Sequence, residues 1–477
     1  MKNKVKNEII QLFENHFGEK VKSIAMLPPS GSYREYCRLT NDSRSVIGAW
    51  NADVKENTAF LSFTSQFLQK GLPVPEIYMV SDDRKKYLME DLGNTTLFDF
   101  LSEKRETEGF SDSVIEEYLK VLRVLPQIQI TAGKEIDYSV CYPREAFDKQ
   151  SMMWDLNYFK YYFLKLAKIP FDEQALEDDF QIFSDYLLSA PSGYFLYRDF
   201  QSRNVMLKDG GVYFIDYQGG RRGALQYDLA SLLYDGKADI PPPVRAQLFD
   251  FYLSELKKYV PVHENEFTSY FNGFVLIRIM QAMGAYGFRG FYEKKEHFLK
   301  SIPYAIRNLQ NLLPVLNLPV ELPELVNVLY LLTQSETLKE IGQSRAKLTV
   351  SITSFSYKKG IPDDPSGNGG GFVFDCRAIN NPGRYPEFKF LSGKDPEVQQ
   401  FLRQNSEMKW FLKPVKTLVE QSVKNYLQRG FTHLSVNFGC TGGQHRSVYA
   451  AEKLALHLRN NFNVNVVLVH REQQFAE

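Results

Sequence analysis

At 477 residues, with 44% hydrophobic and 24% charged side chains, the composition is that of an ordinary globular protein, and the chain is too long for one core, so two or three domains are expected. The 57 basic and 57 acidic residues cancel and do not demand a nucleic-acid partner, although residues 346–477 carry 17 Lys/Arg against 11 Asp/Glu, an excess that suits an anion site. No apolar run approaches a membrane span, and the four cysteines, Cys37, Cys141, Cys376 and Cys440, are scattered with no CxxC pair, which argues against a disulfide framework or structural zinc and for a reducing cytoplasm.

The opening MKNKVKNEIIQLFENHFGEK has the spacing of an amphipathic helix and lacks the apolar core of a secretory leader. Residues 22–50 alternate as strands do, with turn signals at Pro28-Pro29-Ser30-Gly31 and Asn41-Asp42. A helix with an apolar stripe is predicted over 56–70, ending at Gly71 and Pro73, followed by strands over 76–80 and 87–90 and then Asp91-Leu92-Gly93. This order implies a small sheet-rich lobe over 1–92. Residues 93–333 read as a helical lobe rich in Tyr, Phe and Leu, broken by one β-rich island at 194–218. The polar run 334–347 reads as a linker. Over 348–477 strands and helices alternate, with strands at 348–355, 372–377, 434–438 and 464–470, which implies a separate α/β domain.

The island carries the chemistry. In Tyr197-Arg198-Asp199-Phe200-Gln201-Ser202-Arg203-Asn204 an Asp and an Asn stand five apart on one tight loop, and Phe214-Ile215-Asp216 follows at the end of the next strand. Phosphoryl transfer needs placed metal ions and a carboxylate that orients the attacking hydroxyl. Asp199 suits the hydroxyl, and Asn204 and Asp216 suit Mg²⁺. A lone DxxxxN equally describes a capping loop; its place between two apolar strands, with a third carboxylate at the strand end, favours catalysis. The segment Trp154-Asp155-Leu156-Asn157-Tyr158 offers a polar group and aromatic faces to an acceptor pocket, or is ordinary helical core.

In the last domain a strand runs into Gly439-Cys440-Thr441-Gly442-Gly443-Gln444-His445-Arg446-Ser447 and then a helix. Backbone N–H groups and the helix dipole make such a turn an anion site, and Arg446 adds a planar charged fork. A tight βα turn that needs glycine is the plainer reading. The spacing Cys440-x₅-Arg446 also matches a cysteine-phosphatase loop, but Gly439 stands where a His is usual and no general-acid loop is evident.

The YRDFQSRN loop with its distal Asp resembles the aminoglycoside phosphotransferase and choline kinase superfamily, with Tyr197 in place of the usual His. That resemblance implies an α+β protein-kinase-like bilobal fold and ATP and Mg²⁺ as cofactors. It also implies that Ser30, Gly31 and Ser32 fold over phosphates, that Glu90 and Leu92 contact adenine through backbone groups, and that Asp228 is structural. The lysine expected on the third strand is missing from Val46-Ile47-Gly48-Ala49-Trp50; Arg34, Arg38 and Lys55 are the candidates to replace it, and Glu56 is the candidate partner glutamate. Within the superfamily, GSYREYCRL, MEDLGNTTLFDFL and IRIMQAMGAYGFRG are similar to the anomeric N-acetylmuramate and N-acetylglucosamine kinases, which implies a small-molecule sugar acceptor.

The stretches SFSYKKGIP, FDCR, LSGKD and CTGGQHRS resemble the C-terminal domain of the RapZ RNase adapter family. The resemblance implies a phosphorylated amino sugar with its phosphate on Thr441, Gly442, Gly443, His445 and Arg446 and its sugar lined by Asp375 and Arg377, and also an RNA or protein partner. The P-loop half of that family is absent. A sugar kinase with an attached phosphosugar sensor is therefore expected, against the alternative of a pseudokinase scaffold whose C-terminal domain recruits RNA or protein.

Overall fold

The computed structural model describes residues 1, 3–28, 34–341, 348–364, 371–429 and 431–473, in two units, Met1–Gln343 and Ser344–Glu477. The first unit begins with the helix Asn3–Phe17, whose Ile9 and Phe13 are fully buried against an antiparallel sheet. That sheet holds β1 (Ser23–Met26), β2 (Glu35–Thr40), β3 (Ser45–Trp50), β4 (Ile77–Val80) and β5 (Lys86–Glu90) in the order β1-β2-β3-β5-β4. Between β3 and β4 lies the helix Val54–Gln69, started by Asp53, whose carboxylate accepts from the N–H groups of Lys55 and Glu56. Its Phe60, Phe63 and Phe67 enter the core shared with the helices that follow.

In the helical lobe the loop 197–204 lies between two short ribbons. Strand β6 (Tyr194–Leu196) pairs antiparallel with β9 (Arg221–Gly223), and β7 (Val205–Lys208) with β8 (Gly211–Phe214). The N–H of Phe214 donates to the Pro73 carbonyl at 2.8 Å, which ties the end of β8 to the segment between the helix Val54–Gln69 and β4. The short helix Glu336–Glu340 puts Leu338 in the core of this unit, so part of the segment predicted as linker is folded structure. Its polar residues Glu336, Thr337 and Glu340 form its outer face.

In the second unit β10 (Thr349–Ser356), β11 (Phe372–Asp375), β12 (His433–Cys440) and β13 (Asn465–His470) form an all-parallel sheet in the order β11-β12-β10-β13. The helices Met408–Arg429 and Arg446–Asn461 cover it, and Val350, Ile352, Val436, Phe438 and Leu454 fill the core. The loops that leave the carboxyl ends of these strands lie where open parallel sheets bind ligands. No helix among the described residues is long and apolar enough to cross a membrane.

Candidate active site

Asp199, Asn204 and Asp216 converge. The Asn204 side-chain amide donates to the Asp199 carbonyl oxygen at 2.7 Å and to Asp216 Oδ2 at 3.4 Å. With its N–H groups spent on these acceptors, the Asn204 amide oxygen is the group left to face a cation. Asp216 Oδ1 is steadied by Gln218 Nε2 at 2.7 Å. Burial and then the negative charge of Asp199 push the Asp216 carboxyl up from its usual range, while Arg34 and Arg203 oppose the shift. Two hard oxygen donors, one of them a carboxylate raised by a like charge, fit a magnesium ion whose other ligands are phosphate oxygens and water.

The loop is braced from beneath by residues that never need to meet a ligand. Asp228, fully buried on the helix Gln226–Leu233, accepts from the N–H groups of Tyr197 at 2.8 Å and Arg198 at 3.0 Å and from Gln129 Nε2 at 3.1 Å. Gln129 sits in a π-helical turn, Gln127–Ala132, and in turn accepts from the Tyr252 hydroxyl at 2.6 Å. Tyr197, in the place of the usual His, donates its hydroxyl to the Ile215 carbonyl, one residue before Asp216. Two non-glycine residues here adopt left-handed backbone, Arg198 at φ 85° and Asp216 at φ 69°. Such conformations persist where the surroundings over-determine them, as they do at these two positions.

The three candidate cations part company. Arg38 is committed to Asp91 through a fork at 2.6 and 2.9 Å and to Asn94 and the Gly93 carbonyl, which shapes the turn after β5. Lys55 is exposed. Arg34, entering β2, is buried, faces Phe60 at 5.5 Å and pairs with Glu56 at 3.3 Å; Glu56 is itself fixed by Asn51 at 2.7 Å. Arg34 is thus the cation whose field reaches Asp216 from the sheet side. The predicted Ser30, Gly31 and Ser32 lie outside the described residues. Leu92 is buried, and the Glu90 N–H donates to the Glu76 carbonyl at 2.8 Å while the Glu90 carboxylate holds Lys208 at 2.6 Å, so Glu90 is tied on both sides. Asp155 is not free either: it forms a bidentate pair with Arg198 at 2.8 Å to each oxygen.

The glycine-rich loop of the second unit is built differently. Thr441 and Gly442 stand exposed at its rim, and Gly443 takes φ 70° with its N–H 3.2 Å from Cys440 Sγ. Gln444 Nε2 donates to the Lys389 and Leu391 carbonyls, and His445 Nε2 bonds the Phe388 carbonyl at 2.9 Å. Burial holds His445 below the usual imidazole range, so the ring is neutral at pH 7. Arg446 is buried; its Nη1 donates to the carbonyls of Arg377 at 2.9 Å and Ile379 at 2.8 Å, and its Nη2 reaches Thr441 Oγ1 at 3.4 Å. Asp375 and Arg377 form an exposed fork with each other, with Arg377 over the Tyr357 ring at 4.0 Å. Cys440 Sγ is buried beside the Ser447 hydroxyl at 3.2 Å.

Comparison with known proteins divides the chain at the same place. Residues 44–262 match the phosphotransferase enzyme family, and residues 348–474 match the RapZ C-terminal domain. A nucleotide-binding protein of Nitrosomonas europaea is 40% identical over 125 residues, which is 26% of this chain and 42% of that protein. One of Koribacter versatilis is 36% identical over 130 residues, covering 27% and 40%. The chain therefore spans less than half the length of these curated relatives. Among solved structures, the choline kinase LicA of Streptococcus pneumoniae is 15% identical, with 65% of this chain and 99% of that chain covered and a TM-score of 0.43.

Proposed function

We propose that this chain, a phosphotransferase-family domain followed by a RapZ C-terminal domain, is a kinase that uses ATP and Mg²⁺ to phosphorylate an N-acetylated amino sugar at its anomeric hydroxyl. The observation that carries the reading is that Asn204 bonds both the Asp199 carbonyl and Asp216 Oδ2, which brings Asp199, Asn204 and Asp216 together on one braced loop. Asp199 orients the acceptor hydroxyl and accepts its proton as that oxygen bonds to the γ-phosphorus of ATP and the bond from this phosphorus to the leaving ADP breaks. Asn204 and Asp216 hold the metal, which when bound neutralises charge on the phosphates. Arg34, paired with Glu56, takes the charge-balancing place of the absent strand lysine. Glu90 and Leu92 border the adenine side.

The second unit binds a phosphorylated amino sugar at Thr441, Gly442, Gly443, His445 and Arg446, with Asp375 and Arg377 on the sugar side. What supports this is a positive-φ glycine turn that opens a long helix, where backbone N–H groups serve an anion. The test is phosphate transfer from Mg-ATP to a panel of sugars, including N-acetylmuramate and N-acetylglucosamine, with Asp199→Asn as control. Product at the anomeric position that disappears in the variant supports the kinase. ATP binding without transfer to any sugar would replace it with the scaffold reading.

A further inference from the structure

Arg221 is a cation that the proposed chemistry leaves unused. It opens β9 directly across from Leu196, three residues before Asp199, and only 7% of its surface is exposed. Its Nε donates to the Gly219 carbonyl at 3.0 Å; among the described residues no carboxylate lies within ion-pairing distance of it. Its neighbour Arg198 is a like charge, already neutralised by the Asp155 fork, hydrogen-bonded to the Tyr227 hydroxyl at 2.7 Å and faced by the rings of Phe147 and Tyr227. Burial and then Arg198 push the Arg221 pKa down to about 10, against the weaker pull of Asp155 and Asp199.

The Nη groups of Arg221 have no hydrogen-bond partner among the described residues and are not sealed from solvent, so this largely buried guanidinium, with a like charge beside it, is open to an anion. Asp199 and Asp216 are not available to pair with it, since one is committed to the acceptor hydroxyl and the other to the metal. Arg221 and Arg34 stand at different elements, β9 and the entry to β2. Phosphate charge is met from the sheet side by Arg34, whereas Arg221 belongs to the β6–β9 ribbon. The next residue, Arg222, exchanges backbone hydrogen bonds at 2.8 Å with Glu145 and Phe147, in the segment that leads into the helix Lys149–Phe159. We infer that Arg221 receives an anionic group of the acceptor, so that the enzyme selects a carboxylate-bearing N-acetylated sugar over its neutral counterpart.

This inference rests on the kinase reading, and the experiment separates the two. N-Acetylmuramate and N-acetylglucosamine share a ring and an acetamide and differ by a lactyl carboxylate, so they serve as probes. Their kcat/KM values are measured at saturating Mg-ATP for the intact protein, Arg221→Gln and Arg221→Lys, together with KM for ATP, melting temperature and calorimetric binding of each sugar. The expected result is a preference for the carboxylated sugar that falls about 10- to 100-fold in Arg221→Gln, mainly through KM, and is partly retained in Arg221→Lys. An unchanged ratio in both variants, or an equal loss on both sugars with a raised KM for ATP, overturns the inference and leaves the kinase standing. If the intact protein transfers phosphate to neither sugar, the kinase reading falls, and the calorimetric preference and its response to Arg221→Gln decide the role of Arg221 alone. Should Arg221→Gln fail to fold, Arg221→Lys carries the same comparison.

Discussion

Between Tyr197 and Asp216 buried side chains hold the backbone, and the chemically able side chains are left to the ligand. Between Gly439 and Ser447 the arrangement is inverted. There Gln444, His445 and the Nη1 of Arg446 are spent on carbonyls of 377–391, and what remains for an anion is the backbone N–H groups of the turn together with Arg446 Nε, which has no hydrogen-bond partner among the described residues. Two motifs equally rich in polar residues therefore do opposite things with them. A charged residue in a glycine-rich loop can be the frame of a site rather than its contact.

The largest test of this contrast is Asp199→Asn, for which a fall in kcat of about 10²- to 10⁴-fold is expected with ATP affinity retained, as read by steady-state kinetics and nucleotide titration. Next is a brace: Asp228→Ala strips the acceptor from two backbone N–H groups and Gln129, and about 3 kcal/mol of unfolding free energy should vanish in a urea titration. In the second unit, Arg446→Met leaves the carbonyls of Arg377 and Ile379 without donors and should destabilise that unit by about 2 kcal/mol. If Arg446→Met abolished glucosamine 6-phosphate binding at unchanged stability, Arg446 would be a contact and the inversion would not hold. Arg34→Lys should raise the ATP dissociation constant about tenfold, because a point charge does not reproduce the guanidinium held between Glu56 and Phe60.

The smallest effect concerns pH. The folded pKa of His445 lies below the ordinary value, so its contribution to stability is present at neutral pH and declines as pH falls below the unfolded histidine value. Since the ring is already neutral at 7.5, anion binding at the loop should change less than about twofold between pH 7.5 and 6.5. A steep rise in affinity on acidification would make His445 a charged ligand group instead.

Much of the fold was legible because spacing and turn residues report it directly. The Asp-x₄-Asn loop between apolar strands picked out the place where Asn204 meets Asp199 and Asp216, and the strand–glycine–helix run marked the second unit's parallel sheet. Arg34 was not singled out from Arg38 and Lys55, since choosing among them requires knowing which one the helix Val54–Gln69 brings against Glu56. Arg221 and Gln129 carried no signal at all. The twin arginines of GGRRG belong to no motif, and a glutamine inside an apolar helix gains meaning only when a π-turn swings it onto Asp228. The carbonyl bonds of Arg446 were hidden for the opposite reason: the motif suggested a role so strongly that the chain's own acceptors, about seventy residues earlier, were invisible.

The left-handed backbone at Arg198 has a consequence for anyone selecting heat-resistant variants. An L-residue there costs roughly 1–2 kcal/mol that glycine would not. Arg198→Gly would relieve that strain, but it would break the buried pair with Asp155 and the bond to the Tyr227 hydroxyl, a loss of about 3–5 kcal/mol that outweighs the gain. The freed carboxylate would then compete for the guanidinium assigned to the acceptor. A heat screen would therefore discard glycine at 198 although glycine suits the backbone there, which is why an arginine with left-handed backbone is kept.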